Sequence, residues 1–128
     1  MGLMTMNNVQ EIAKAQLESG EELKAACYGV LGIKGHCIGV TPKRLFLVRV
    51  SLFLGKVKEV TSIPRGEVSG ASYEKVGAEM GGVAYVPTHA WLKFAASGKN
   101  YKFNITRTVG VLNAENFTAA EQVANLLK

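Results

Sequence analysis

Four residues carry side chains of the types most used for metal binding or nucleophilic chemistry: Cys27, His36, Cys37 and His89. A zinc site is built from ligands at short repeated spacings, and neither CxxC nor HxxxH occurs in the chain. His36 and Cys37 are adjacent, which in a strand sends them to opposite faces. Cys37 therefore has no base beside it of the kind a nucleophile needs. Both cysteines stand among apolar neighbours, where a thiol packs as a small hydrophobe, and His89 reads as an exposed strand residue. Acid–base chemistry needs carboxylates converging on one site, and several of the ten acids fall on expected exposed helix surfaces. The run Gly77-Ala-Glu-Met-Gly-Gly82 lacks the Lys-Ser/Thr ending and the following helix of a phosphate loop, so it reads as a mobile inter-strand loop. The expectation is a non-enzymatic protein with no catalytic residues, no metal ligands and no cofactor.

Charge is more informative than nucleophiles. The chain has 128 residues and a formal charge of +5, with no aspartate. Between Glu22 and Glu59 there is no acid of either kind, while Lys24, Lys34, Lys43, Arg44, Arg49, Lys56 and Lys58 fall in that gap. The acidic ends, Glu11, Glu18, Glu21 and Glu22 on one side and Glu115 and Glu121 on the other, are separate from that gap. A field so uneven favours an anionic partner surface, whether membrane headgroups, an acidic protein or nucleic acid, and the plain alternative is a solvated basic face. Nucleic acid ranks below the other two, because no exposed aromatic stacking platform is evident and Phe46 is expected in the core.

The elements that would position these groups follow from periodicity. Val9, Ile12, Ala13 and Leu17 form one stripe of a helix over 8–18, with Asn8 and Glu11 in a capping-box pattern and Ser19-Gly20 as the stop. Its apolar stripe needs a partner, either the rest of the domain or a second copy. From Leu23 to Arg107, short runs rich in Val, Ile, Leu, Phe and Tyr alternate with Gly, Pro, Ser and Lys, as consecutive antiparallel strands do. Seven strands are expected: 23–31, 35–41, 43–52, 56–63, 67–75, 88–96 and 100–107. Breaks include Thr41-Pro42, Gly55, Pro64-Arg65-Gly66, Val76 to Pro87, and a hairpin turn at Ser97-Gly98-Lys99-Asn100. A last helix over 114–127 repeats Phe117, Ala120, Val123, Ala124 and Leu127 at helical spacing, with Asn113 as N-cap. The arrangement predicted is one domain, mainly β with α: a bent sheet or partial barrel with its open end plugged by the last helix.

The segment "GEELKAACYGVLGIKGHCIGVTPKRLFLVRV", followed by "KVKEVTSIPRGEVSGASYEK", resembles the bacterial pleckstrin-homology-like proteins, which share a general pattern with eukaryotic PH and GRAM modules. The matching pieces are Gly20-Glu21-Glu22, Gly39-Val-Thr-Pro-Lys-Arg-Leu-Phe-Leu-Val48, Ile63-Pro64, Val68, the pair "WLKF…YKFNI" and the final helix. The resemblance covers residues 20–127, with residues 1–22 as N-terminal helix and lead-in and 23–128 as the PH-like domain. It implies a seven-stranded, two-sheet partial barrel or sandwich closed by the C-terminal helix, with no catalytic residues, and some members of the family assemble into rings. Phosphoinositide-binding relatives carry several Lys and Arg on the first two strands and their loop. Here "GIKGHC" offers only Lys34 and His36, with Lys43 and Arg44 further on.

Two functional expectations follow. The first is a binding or scaffolding module acting by protein contact or homo-oligomerisation. The second is peripheral association with an anionic membrane surface, at about 1 kcal/mol per basic residue near the leaflet. The candidate contact residues are Lys34, His36, Lys43, Arg44, Arg49, Phe53, Lys56 and Lys58. In "RVSLFLGKVK" the apolar tip 52–54 is the unusual element. Period two puts Phe46, Val48, Val50, Leu52 and Leu54 on a core face, and Leu45, Leu47, Arg49, Ser51 and Phe53 on the other, with Phe53 directed outward. With no secretory leader and a Met1-Gly2 start that does not fit myristoylation at Met6, the expected location is cytoplasmic, with reduced cysteines.

Overall fold

The computed structural model describes residues 6–32, 34–51, 56–80, 84–106 and 114–128. Helix α1 (Met6–Lys14) precedes strands β1 (Ala25–Leu31), β2 (Lys34–Val40), β3 (Arg44–Val50) and β4 (Val57–Pro64). A 3-10 turn (Arg65–Glu67) leads to β5 (Val68–Met80), β6 (Ala84–Ala96) and β7 (Lys99–Thr106), and helix α2 (Ala114–Leu127) follows. All seven strands belong to one antiparallel sheet in the order β4-β3-β2-β1-β7-β6-β5.

Topology alone shows that this sheet is bent. Strands β4 and β5 are its two ends, yet only the three residues of the 3-10 turn separate them. A few residues reach about 3.5 Å each, far less than the width of seven flat strands about 4.8 Å apart. The sheet therefore curls until its ends meet at one corner. The fold also has a hinge: among the described residues, β1 pairs with β7 only at Val30 and Asn104. On one side of it lies β4-β3-β2-β1, and on the other β7-β6-β5, which reconciles a single sheet with the two-sheet barrel that the resemblance implies.

Two apolar cores lie on the two sides of the sheet. The larger fills the concave side with Cys27, Ile38, Leu45, Leu47, Leu92, Phe94, Phe103 and Ile105. Phe117, Ala120, Val123, Ala124 and Leu127 of α2 close it, as their spacing predicts. The smaller lies on the outer face of β1–β3, where Val9 and Ala13 of α1 cover Tyr28, Cys37, Phe46, Val48 and Val50. The apolar stripe of α1 is thus satisfied by its own domain. Because β1–β3 are covered on both faces, they read as continuous apolar runs instead of alternating ones.

Several expectations are corrected. Residues Val76 to Pro87 do not form a loop throughout: β5 continues to Met80 and β6 begins at Ala84, and Met80 pairs with Ala84. Glycines within the run disguised it as a linker, and a register shift at Val76 and Gly77 marks where the ladder absorbs them. Helix α1 begins upstream of Asn8 and ends at Lys14, so Asn8 and Glu11 lie inside it and do not cap its start. The second face of β3 is no solvent face, since Leu45 and Leu47 are buried in the larger core. Phe53, like Asn113, lies outside the described residues. The turn after β6 follows expectation: Ser97 and Gly98 both have positive φ, 50° and 78°, as a two-residue hairpin loop requires.

Candidate functional site

The seven described candidate contact residues do not form one patch. Register pairs Gly29 with His36, His36 with Arg49, and Arg49 with Glu59, across four strands. These residues share the concave face with Ile38 and Leu47, at the end where β1 turns into β2 and β3 runs toward β4. Lys34 opens β2 at the same end. Lys56 and Lys58 follow on the exposed start of β4, and the backbone N–H of Lys56 donates to Ser51 Oγ at 3.1 Å. Lys34, His36, Arg49, Lys56 and Lys58 therefore gather around one end of the sheet.

His36 contributes little positive charge there at neutral pH. It is only 8% exposed, and its ring meets Phe103 edge to face at 5.3 Å. Its Nδ1 lies 3.1 Å from the Lys34 carbonyl oxygen. Burial pulls its pKa below the ordinary histidine value, the nearby Arg49 and Lys34 cations add to that, and the Lys34 carbonyl and Glu59 oppose it. Cys37 faces the other way, into the smaller core, as strand alternation predicts. Burial pushes its thiol up to about 12. Cys27 and Cys37 are both free and buried, and neither has the electropositive, accessible setting of a reactive thiol. Among the described residues, no group of three or more His, Cys, Asp or Glu is placed to hold a metal ion.

Lys43 and Arg44 lie at the opposite end, in and after the turn between β2 and β3. Arg44 is held by internal partners. Its Nε donates to Glu21 Oε2 at 2.9 Å and its Nη2 to Glu21 Oε1 at 2.8 Å, a bidentate pair. Nη2 also donates to the Gln16 carbonyl at 2.6 Å and Nη1 to Ser62 Oγ at 3.2 Å. The guanidinium lies 5.0 Å over the Phe46 ring. Thr41 completes the knot: its hydroxyl donates to Glu21 at 3.0 Å and accepts from the Lys43 and Arg44 N–H groups. Hydrogen bonding to Arg44 leads the effects that hold the Glu21 carboxyl at about 2. The network straps the lead-in after α1 onto the start of β3. Nearby, Arg65 donates to the carbonyls of Thr41 and of Leu126, in the last turn of α2, where a cation complements the helix dipole.

Sequence reasoning missed two features. One is Asn116, a fully buried polar residue of α2. Its Oδ1 accepts from the Tyr28 N–H at 2.8 Å and its Nδ2 donates to the Tyr28 carbonyl at 2.9 Å. The amide thus occupies the ladder position that β7 leaves open along β1. Only the splayed pairing of β1 explains it, and no local pattern announces that. The other is the pair Val57 and Val60, 47% and 42% exposed. Val57 pairs with Val50 and Val60 with Val48, so both stand on the outer face of the edge strand, with a register shift between them.

No family model and no curated protein matches the chain. Solved structures do. The hSac2 domain from the human phosphoinositide phosphatase Sac2 aligns over 95% of this chain and 78% of its own, with a TM-score of 0.55 and 7% identity. A pleckstrin homology domain from Shewanella amazonensis SB2B aligns over 93% of this chain and 99% of its own, with a TM-score of 0.50 and 22% identity. These likenesses establish a pleckstrin-homology-like fold.

Proposed function

We propose that this pleckstrin-homology-like fold serves as a non-catalytic binding module, and that a second copy of the chain docks along the edge strand β4. The observation that carries this reading is the exposure of Val57 and Val60 side by side on a strand that ends the sheet order. An edge strand offers backbone donors and acceptors to another chain, and charges and bulges usually guard it against indiscriminate pairing. Here the guards are Lys56, Lys58, Glu59 and the register shift. They also suit a copy of themselves. Antiparallel pairing centred between Lys58 and Glu59 sets Val57 of one copy against Val60 of the other, and each lysine beside a glutamate. The solution mass at micromolar concentration tests this. A dimer or larger species that becomes monomeric in Val60→Lys supports it, and a strictly monomeric wild type ends it.

A second reading has its own support. Lys34, Arg49, Lys56 and Lys58 gather at one end of the sheet, and in sequence the last three flank the apolar run 52–54, which favours peripheral contact with an anionic membrane. No described helix is long and apolar enough to cross a membrane. Co-sedimentation with phosphatidylserine vesicles at low salt decides the matter. Binding weakened more by Phe53→Ser than by any single lysine change supports this reading, and indifference to the vesicles removes it.

A further inference from the structure

The outer face of the β5–β6–β7 half carries a feature that neither reading uses. A depression of about 370 Å3 is lined by Gly70, Lys93, Ala95, Asn100 and Lys102, with the Phe94 and Tyr101 segments between them. Phe94 and Phe103 are buried in the larger core. Alternation therefore puts Lys93, Ala95, Asn100 and Lys102 on the outward side. The depression exists because its middle is small. Ala95 is short, and nothing lies within 4 Å of where a Cβ on Gly70 would stand. Gly70 also has φ +64°, so the register shift between Ser69 and Ser72 rests on a residue that tolerates it.

Lys93 and Lys102 are directly opposite each other in the β6–β7 ladder. Like charges so placed destabilise a sheet, and here both are only lightly compensated. Lys93 meets Glu74 at 3.6 Å, but both side chains are well exposed and such a pair is weak. The Lys102 ammonium sits 4.3 Å above the Trp91 ring, an attraction that does not cancel charge. Both ammonium groups lean toward Glu74 and Trp91, beside the depression, and an oxyanion entering next to Ala95 and Asn100 would draw these exposed side chains into charge-assisted hydrogen bonds. Asn100 adds an amide donor at the rim. The lysine stems, Ala95 and the neighbouring Trp91 ring supply an apolar bed beside the anion.

We infer that this depression binds a phosphate monoester with an apolar body, through Lys93 and Lys102, at a site separate from the basic end of the sheet. Such a group comes either on a soluble molecule or as the headgroup of a phosphatidic acid-like lipid. Trp91 is the only tryptophan of the chain and lies under the Lys102 ammonium, so its fluorescence reports on any movement of that group. The experiment titrates the full chain with n-butyl phosphate, with n-butanol as control. A second arm adds phosphatidylcholine vesicles with and without phosphatidic acid. A saturable change with butyl phosphate, absent with butanol and at least about tenfold weaker in Lys93→Gln and in Lys102→Gln, is the expected result for a soluble ligand. A response confined to phosphatidic acid vesicles, with the same lysine dependence, supports the site and assigns it to a lipid. Urea midpoints of the two variants close to that of the wild type show that any loss is one of binding. The inference is overturned if neither arm saturates, or if the glutamine variants respond with wild-type affinity.

Discussion

In β2 and β3 nearly every side chain is buried, whichever face it points to. In β6, residues 90 to 96 alternate between buried and partly exposed, and in β7 the buried Phe103 and Ile105 alternate with the exposed Lys102 and the half-buried Asn104. The two stretches belong to the same sheet and share the same concave core. They differ in what lies on the other face: α1 covers β1–β3, while the outer face of β6–β7 meets water. The contrast separates two tasks. The doubly covered half is committed to packing, and a change on either face disturbs a core. The singly covered half leaves Trp91, Lys93, Asn100, Lys102 and Asn104 partly or fully exposed, so binding chemistry there need not disturb the core.

The sharpest way to break this comparison is to truncate one large aromatic in each half. Phe46→Ala empties the smaller core and removes the ring under Arg44, and should cost about 3–5 kcal/mol. The ring is tightly held, because a Cβ on Gly39 would come within 2.3 Å of it. Trp91→Ala, on the wet face, should cost well under half as much. Urea unfolding of both variants measures the difference. Equal losses would mean that α1 does not seal the outer face as described.

Asn116→Ala tests the seam between the halves. It strands the buried N–H and carbonyl of Tyr28, at about 2–3 kcal/mol for the two groups together. Amide exchange gives a finer readout, since protection at Tyr28 should fall more than protection at Cys37. Uniform loss across β1 and β2 would make Asn116 an ordinary packing residue.

These elements also show how far the sequence could be read. The helix stripes, seven strands, the 97–98 turn and the opposite directions of His36 and Cys37 are local consequences of periodicity and turn chemistry, and they were legible. The strand extension through Gly77 to Met80 was not, because strand pairing overrides the loop preference of glycine only when a partner strand is present. Asn116 was invisible for a similar reason: its role depends on where β1 and β7 part. Basic residues could be counted in the sequence but not sorted. Arg44 and Arg49 stand five positions apart, yet the first is bound to Glu21 and the second faces the opposite end of the sheet.

The strap at Arg44 gives a smaller effect with a defined pH signature. The Glu21 carboxyl titrates at about 2 in the folded chain, below its ordinary value of 4.5. Its contribution to stability is therefore complete above pH 4.5 and is lost as pH falls toward 2. Glu21→Gln should lower stability at pH 7 by about 1–2 kcal/mol, since hydrogen bonds to a charged group are lost. It should also flatten the decline between pH 4.5 and 2. Thermal unfolding at pH 7, 4.5 and 3 checks both. An unchanged acid slope in the variant would place the acid sensitivity elsewhere.

The least effect is expected on the wet face. Glu74→Gln removes the exposed partner of Lys93 and should cost no more than about 0.5 kcal/mol. Whatever loss appears at low salt should vanish near 1 M salt, where the Debye length is about 3 Å. The same change leaves Lys93 and Lys102 facing each other with less compensation, so affinity for an oxyanion should rise while stability barely moves. Stability and binding would then respond in opposite directions to one substitution, as a surface set apart from the packed half of the sheet should behave. A loss comparable to that of Phe46→Ala would mean that the outer face of β6–β7 is as structurally committed as the face beneath α1, and the distinction between the halves would fail.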